Sequence, residues 1–198
     1  VVLVYGPDRG LVGERVARLT EAAGVDPADA FAVTRIDAAL LEREPARLAE
    51  EAQAVSIFGG RRVVVVRDAG DRTLRALAIV LDLAEPASLV ILEAGDLGPS
   101  SKLRQTVERA KNAVAIACYR EEGPVLQRSV AALLREHGLE ASPEVVARLA
   151  AHLGADRAVT RNEIEKLALY IGDRPDRRVH PEDLAAVVAD AAHLGVDA

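Results

Sequence analysis

The chain has 198 residues, half of them apolar and 28% charged, with a net charge of −6. That is enough to bury a real core in one or two domains, and no apolar run approaches the roughly 20 residues of a membrane helix. Cys118 is the sole cysteine, so one chain holds no disulfide framework or cysteine-rich zinc site, as suits a reducing cytoplasm.

Charge is distributed unevenly. Residues 1–120 carry 16 Lys/Arg against 17 Asp/Glu, and residues 121–198 carry 9 against 14. Neither half is basic enough for tight DNA binding alone. No charged-then-apolar leader is visible, and Val1 as first residue implies a missing true N-terminus.

The first 120 residues alternate strand and helix. Val1–Val4 is a short apolar run, as in a strand buried on both faces. Leu11, Val12, Val16 and Leu19 have helical spacing, with Gly24 as a stop. Phe31–Ile36 alternates like a strand. Pro45 can open a helix that turns Leu48 and Ala52 inward. Val63–Val66 is a second apolar strand, Leu74, Leu77 and Leu81 form a helical stripe, and Leu89–Leu92 is a third apolar strand. Ser100 or Ser101 caps a helix carrying Leu103 and Val107, and Ala113–Cys118 reads as the last strand. Five strands with intervening helices predict an α/β domain: an open, doubly wound parallel sheet.

From Glu121 to Pro124 the pattern breaks, and everything beyond reads helical. Val125–His137 is amphipathic. Ser142-Pro143 starts a helix that ends near Gly154. Thr160-Arg-Asn-Glu163 reads as a capping box for a helix through Ile164, Leu167 and Ile171. Gly172–Val179 is a polar loop, and Pro181 starts a last helix through Leu184, Val187 and Val188. The prediction is a small all-α domain, residues 123–198, after an α/β domain, residues 1–120.

Gly6-Pro7-Asp8 with Gly13 occupies the place of a phosphate-binding loop, between a strand and a helix, without its chemistry. A G-x-x-x-x-G-K-[ST] loop counted from Gly6 would place glycine, lysine and Ser/Thr where Leu11, Val12 and Gly13 stand. No ammonium is available for phosphates and no hydroxyl for Mg²⁺. Asp68 and Glu93, at the ends of two apolar strands, are acids without a nucleotide complex to serve. Gly6, Gly10 and Gly13 do not form the dinucleotide fingerprint either. A plain strand–turn–helix is an equally good reading of the loop alone.

Val55-Ser56-Ile57-Phe58-Gly59-Gly60 places an apolar pair between a helix end and two glycines. Packing into the core is the commoner fate of such a pair; the alternative is a solvent-facing wedge for a partner's pocket. The histidines are scattered, without metal-ligand spacing, and no nucleophile motif appears. Arg104, Arg109 and Lys111 are candidates to face DNA phosphates from one helix, or ordinary surface charges.

Taken in order, several segments resemble one family. They are Val4-Tyr5-Gly6-Pro7-Asp8 with Glu14-Arg15, Ser56-Ile57-Phe58-Gly59-Gly60-Arg61-Arg62, Val90-Ile91-Leu92-Glu93 leading to Ser100-Ser101-Lys102-Leu103, and Asn162-Glu163-Ile164-Glu165-Lys166-Leu167. The chain resembles the delta subunit of bacterial DNA polymerase III, the clamp-loader wrench, in its alphaproteobacterial form. The resemblance implies an AAA+/RecA-like P-loop fold with a decayed nucleotide site, followed by a helical lid domain. It implies that Ile57 and Phe58, with Ser56 and Val55 adjacent, insert into a hydrophobic pocket on the β sliding clamp. Ile57 in place of the more frequent leucine conserves volume. The implied partners are that clamp, the gamma/tau and delta-prime subunits, and primer–template DNA within the assembled loader. The resemblance implies a cytoplasmic accessory subunit of a DNA-directed DNA polymerase, with no cofactor, metal, membrane or intrinsic catalysis expected. The family's third, collar domain is expected to be absent from a chain stopping at Ala198. An active P-loop ATPase or clamp-loader motor subunit, and a dinucleotide-binding enzyme, are the rival readings.

Overall fold

A computed structural model describes residues 1–56, 60–153 and 156–187. The chain forms two compact units, Val1–Tyr119 and Arg120–Ala198.

The first unit is built on strands β1 (Val2–Tyr5), β2 (Val33–Asp37), β3 (Val63–Arg67), β4 (Leu89–Ala94) and β5 (Val114–Ala117). They form one parallel sheet in the order β2-β3-β4-β1-β5. Strands buried on both faces need apolar residues at every position, which explains why β3 is four consecutive valines followed by an arginine. Val64 and Val66 join Leu3, Leu92, Leu48 and Leu77 on one side of the sheet. Val63 and Val65 join Val4, Ile91, Leu11 and Val12 on the other.

Helix α1 (Arg9–Ala22) covers the second of these faces. Helices α2 (Ala38–Arg43), α3 (Ala46–Gln53), α4 (Leu74–Leu81) and α5 (Lys102–Arg109) contribute to the first. Leu48 and Ala52 of α3 are buried as their spacing predicts, and Ser101, not Ser100, caps α5. The six-residue α2 was not predicted. It follows β2 directly, started by the Asp37 carboxylate accepting from the Ala39 N–H at 2.7 Å.

The predicted strand from Phe31 begins later, at Val33. The Asp29 carboxylate accepts the N–H groups of Phe31 and Ala32, at 2.8 and 3.3 Å, and holds them in a turn. Phe31 is 78% exposed.

The second unit contains α6 (Gly123–Glu136), α7 (Pro143–Leu153), α8 (Arg157–Ile171) and α9 (Pro181–Val187) around Leu133, Leu134, Leu149, Ile164 and Leu167. It is not wholly helical: two-residue strands β6 (Glu140–Ala141) and β7 (Arg178–Val179) pair in parallel. The capping box expected at Thr160 is also corrected. Helix α8 is capped four residues earlier, where Asp156 accepts from the N–H groups of Ala158 and Val159 at 2.9 and 3.1 Å. Thr160 lies inside the helix, its hydroxyl donating to the Asp156 carbonyl at 2.8 Å. The helix stop expected at Gly154, and Val188, lie outside the described residues.

Arg177 ties this unit together. It adopts a positive φ of 47° and donates to the carbonyls of His137 at 2.8 Å and of Gly172. One guanidinium thereby satisfies backbone acceptors at the C-terminal ends of α6 and α8.

Candidate functional site

Ligands of open parallel sheets gather at the carboxyl ends of the strands. At that edge β1 ends in Tyr5, and Gly6 turns with φ 154° while its N–H donates to the Gly95 carbonyl at 3.0 Å. A Cβ on Gly6 would lie 2.1 Å from the Cys118 carbonyl oxygen, so only glycine fits. The chain then passes exposed Pro7 to Asp8, which is 5% exposed.

Asp8 caps α1. Its Oδ1 accepts from the Leu11 N–H at 2.9 Å, and its carbonyl accepts from Val12 at 3.0 Å. A helix N-terminus presents unpaired N–H groups and the positive end of the dipole, which is what a phosphate binds. Here the protein's own carboxylate sits there. Leu11 and Val12, at the expected glycine and lysine positions, are core residues at 6% and 2% exposure. Gly13 corrects the prediction: it lies within α1, on an exposed side, and is no part of the loop.

The space beside the loop measures about 40 Å³ and is lined by Arg9, Val12, Asp68, Glu93, Ala94 and Gly95. Ligand pockets are typically about 300 Å³ or larger. The two strand-end acids singled out from the sequence, Asp68 and Glu93, thus meet in one small cavity. Two carboxylates there oppose a triphosphate electrostatically. Among the described residues no three His, Cys, Asp or Glu side chains gather as a metal site. Cys118 is buried, and burial pushes its thiol up from the usual range despite a hydrogen bond from Arg15, so it is a poor nucleophile.

The neighbouring helix α5 is closed in the same way. Asp71 Oδ1 accepts from the Leu103 N–H at 2.9 Å and the Ser101 hydroxyl at 3.0 Å. These bonds, the Leu103 N–H above all, hold the Asp71 carboxyl below the usual aspartate range. Of the three basic residues proposed for DNA, Arg104 is engaged internally. It pairs with Glu108 at 2.8 Å, donates to the Leu97 carbonyl at 3.2 Å and stacks 5.1 Å from the Tyr5 ring centroid. Arg109 and Lys111 are exposed.

The other edge of the sheet, at the amino ends of β2 and β3, is open. Helix α3 ends at Gln53, Val55 is 80% exposed, Ser56 is half-buried, and Gly60 resumes with φ 82°. Ile57, Phe58 and Gly59 lie outside the described residues. Arg62, quoted in the sequence only as part of the Ser56–Arg62 segment, braces the stem of this segment. It donates to the Ala54 carbonyl at 3.3 Å, to Thr34 Oγ1 at 2.8 Å and to Glu51 at 3.2 Å. Glu51 also binds Arg47 at 2.9 Å. The doubled Arg61-Arg62 gives no sequence signal as to which turns inward; Arg62, just before β3, does so by donating to the Thr34 hydroxyl of the neighbouring strand β2.

No known family model matches the chain. Over 118 residues, 60% of its length, it is 23% identical to the probable DNA polymerase III subunit delta of Rickettsia prowazekii. In fold it is similar to the DNA clamp loader delta protein of Bacillus subtilis, with a TM-score of 0.66 and 21% identity over 94% of the chain. The chain resembles the delta subunit of DNA polymerase III. In fold it is also similar to the RuvB Holliday junction branch migration motor of Thermotoga maritima, with a TM-score of 0.59 at 11% identity, over 99% of this chain. The chain spans 36% of the Rickettsia delta protein and 57% of the Bacillus one. Among the described residues no helix is long and apolar enough to cross a membrane.

Proposed function

We propose that this chain is the clamp-engaging portion of a delta-type clamp-loader subunit, which binds the β sliding clamp and takes no part in ATP hydrolysis. One observation carries the second half of this reading: the nucleotide-loop edge of the AAA+ sheet is filled by Asp8, with about 40 Å³ left beside it. The resemblance to delta subunits carries the first half.

In this reading Ile57 and Phe58, flanked by Val55 and Ser56, form an apolar wedge that enters a hydrophobic pocket of the clamp. The clamp ring has closed and open states. A wedge that binds the open or relaxed interface better shifts the ring toward opening by its differential affinity, without chemistry of its own. ATP turnover belongs to partner subunits of the gamma/tau type, assembled with delta-prime, and primer–template DNA enters the completed loader. Arg109 and Lys111 are the exposed candidates to meet that DNA, whereas Arg104 is engaged within the fold.

The test is clamp affinity for the wild type beside the Ile57→Ala/Phe58→Ala double variant, with circular dichroism as the fold control. Truncating Phe58 alone is expected to weaken binding by about 2 kcal/mol or more, as for a buried anchor. Equal affinity of the wild type and a correctly folded double variant would remove the wedge assignment.

A further inference from the structure

Where the C-terminal ends of α6 and α8 come together, the second unit holds an open groove of about 520 Å³, within the usual size range of ligand sites. Its floor is apolar. Ala168 and Leu169 of α8 line it, and Leu169 is 82% exposed, more than any other large apolar side chain among the described residues.

The rim is polar, and its charges do not cancel. A helix C-terminus carries roughly half a negative charge. Two of them meet here, α6 ending at His137 and α8 at Gly172. Arg177 answers both: its guanidinium donates to the His137 carbonyl at 2.8 Å and to the Gly172 carbonyl. One guanidinium is thus matched by two helix ends. Glu165 and Asp173, exposed on the same rim, are left over. Lys166 is taken by Glu163 at 2.7 Å and Arg174 by Asp183 at 2.8 Å. Among the described residues, neither of these adjoining cations pairs with Glu165 or Asp173.

An apolar floor with an acidic rim suits an aliphatic stem that ends in a cation. The methylenes lie along leucine and the charged head reaches the carboxylates. Arginine suits it better than lysine, because a guanidinium is planar, carries five donors and is more weakly hydrated. The fold already uses this chemistry here, in the Arg177 guanidinium held by two helix ends.

We infer that this groove is a docking site for a basic segment of another protein, which lays an apolar side chain against Leu169 and an arginine against Glu165 and Asp173. Charge complementarity selects that occupant. Residues 121–198 carry 9 Lys/Arg against 14 Asp/Glu, and the groove's own surplus has the same sign. A nucleic acid is repelled by that surplus. Clamp binding plays no part at this site, which lies in the other unit of the chain.

The test is fluorescence anisotropy with two labelled alanine-based helices, one carrying leucine and arginine on one face, the other leucine and glutamate. The arginine helix is expected to bind the wild-type chain about tenfold more tightly. Glu165→Lys/Asp173→Lys is expected to reverse that order, and Leu169→Ser to weaken both helices. All three positions are exposed, so these variants should keep the wild-type fold, with circular dichroism as the control. Glu21→Lys/Glu85→Lys makes the same change of net charge at exposed positions of the first unit and is expected to keep the wild-type order. No binding of the arginine helix at millimolar concentration, or equal binding of the two helices, overturns the inference. So does an order that survives Glu165→Lys/Asp173→Lys, or one that Glu21→Lys/Glu85→Lys reverses as well.

Discussion

The two edges of the parallel sheet have opposite characters. At the carboxyl edge every feature closes inward: Gly6 presses against Cys118, Asp8 caps α1, Asp71 caps α5, and Arg104 is shared by Glu108, Leu97 and Tyr5. At the amino edge two apolar side chains, Phe31 and Val55, stand in solvent, and Arg62 ties the Ala54 carbonyl before Val55 to Thr34 of β2. Open α/β sheets ordinarily work at the carboxyl edge. In this chain that edge is closed by internal hydrogen bonds, while exposed apolar side chains stand at the opposite one. A helix N-terminus of the kind that suits phosphate is here satisfied by an internal carboxylate.

Substitutions at the two edges should separate stability from recognition. The largest expected effect is Gly6→Ala. Its Cβ meets a backbone carbonyl at 2.1 Å, at a φ of 154° that L-residues rarely adopt. The closed edge must then shift, at a cost of about 3 kcal/mol or more in urea unfolding. A variant as stable as wild type would show that this edge is not tightly closed.

Arg62→Met comes next. It leaves Thr34 and the Ala54 carbonyl without a donor and Glu51 with Arg47 alone, and should cost about 2 kcal/mol of stability. It should also weaken clamp binding more than that stability loss alone explains, because the stem of the Val55 segment loses its tie to β2. Unchanged affinity in a folded Arg62→Met chain would show that the edge needs no brace.

The smallest expected effect lies at Asp71. Its carboxyl is held below the usual aspartate range chiefly by the Leu103 N–H. A depressed folded value contributes stability above the unfolded pKa and loses it as pH falls through the folded one. Asp71→Asn should therefore be less stable than wild type at neutral pH, with the gap narrowing below the ordinary aspartate range. A gap independent of pH would assign the effect to packing. Since Asp71 is exposed, the difference should be small and should shrink with added salt.

Much of the sheet was legible because strands buried on both faces must be apolar throughout; the runs at Val1–Val4, Val63–Val66 and Leu89–Leu92 fall within or overlap β1, β3 and β4. Features set by local hydrogen bonds were not. Asp29 removed Phe31 from β2, Asp37 created α2, and Asp156 started α8 ahead of the apparent capping box at Thr160. In each case a short carboxylate competed for backbone N–H groups that periodicity does not record. The missing lysine and hydroxyl of the phosphate loop were plain in the sequence. That Asp8 fills the vacated helix end was not, although an aspartate immediately before a helical pattern is a recognised N-cap signal. Arg62 was illegible because its role depends on Thr34, 28 residues earlier on the neighbouring strand β2.

The most direct measurement is a calorimetric titration of the sliding clamp with the wild-type chain, with and without millimolar Mg·ATP, beside Ile57→Ala/Phe58→Ala. The expected result is binding of equal affinity in both conditions, abolished in the double variant. Affinity that depends on ATP, or binding that survives in the double variant, would contradict an account in which the carboxyl edge is closed and the amino edge does the work.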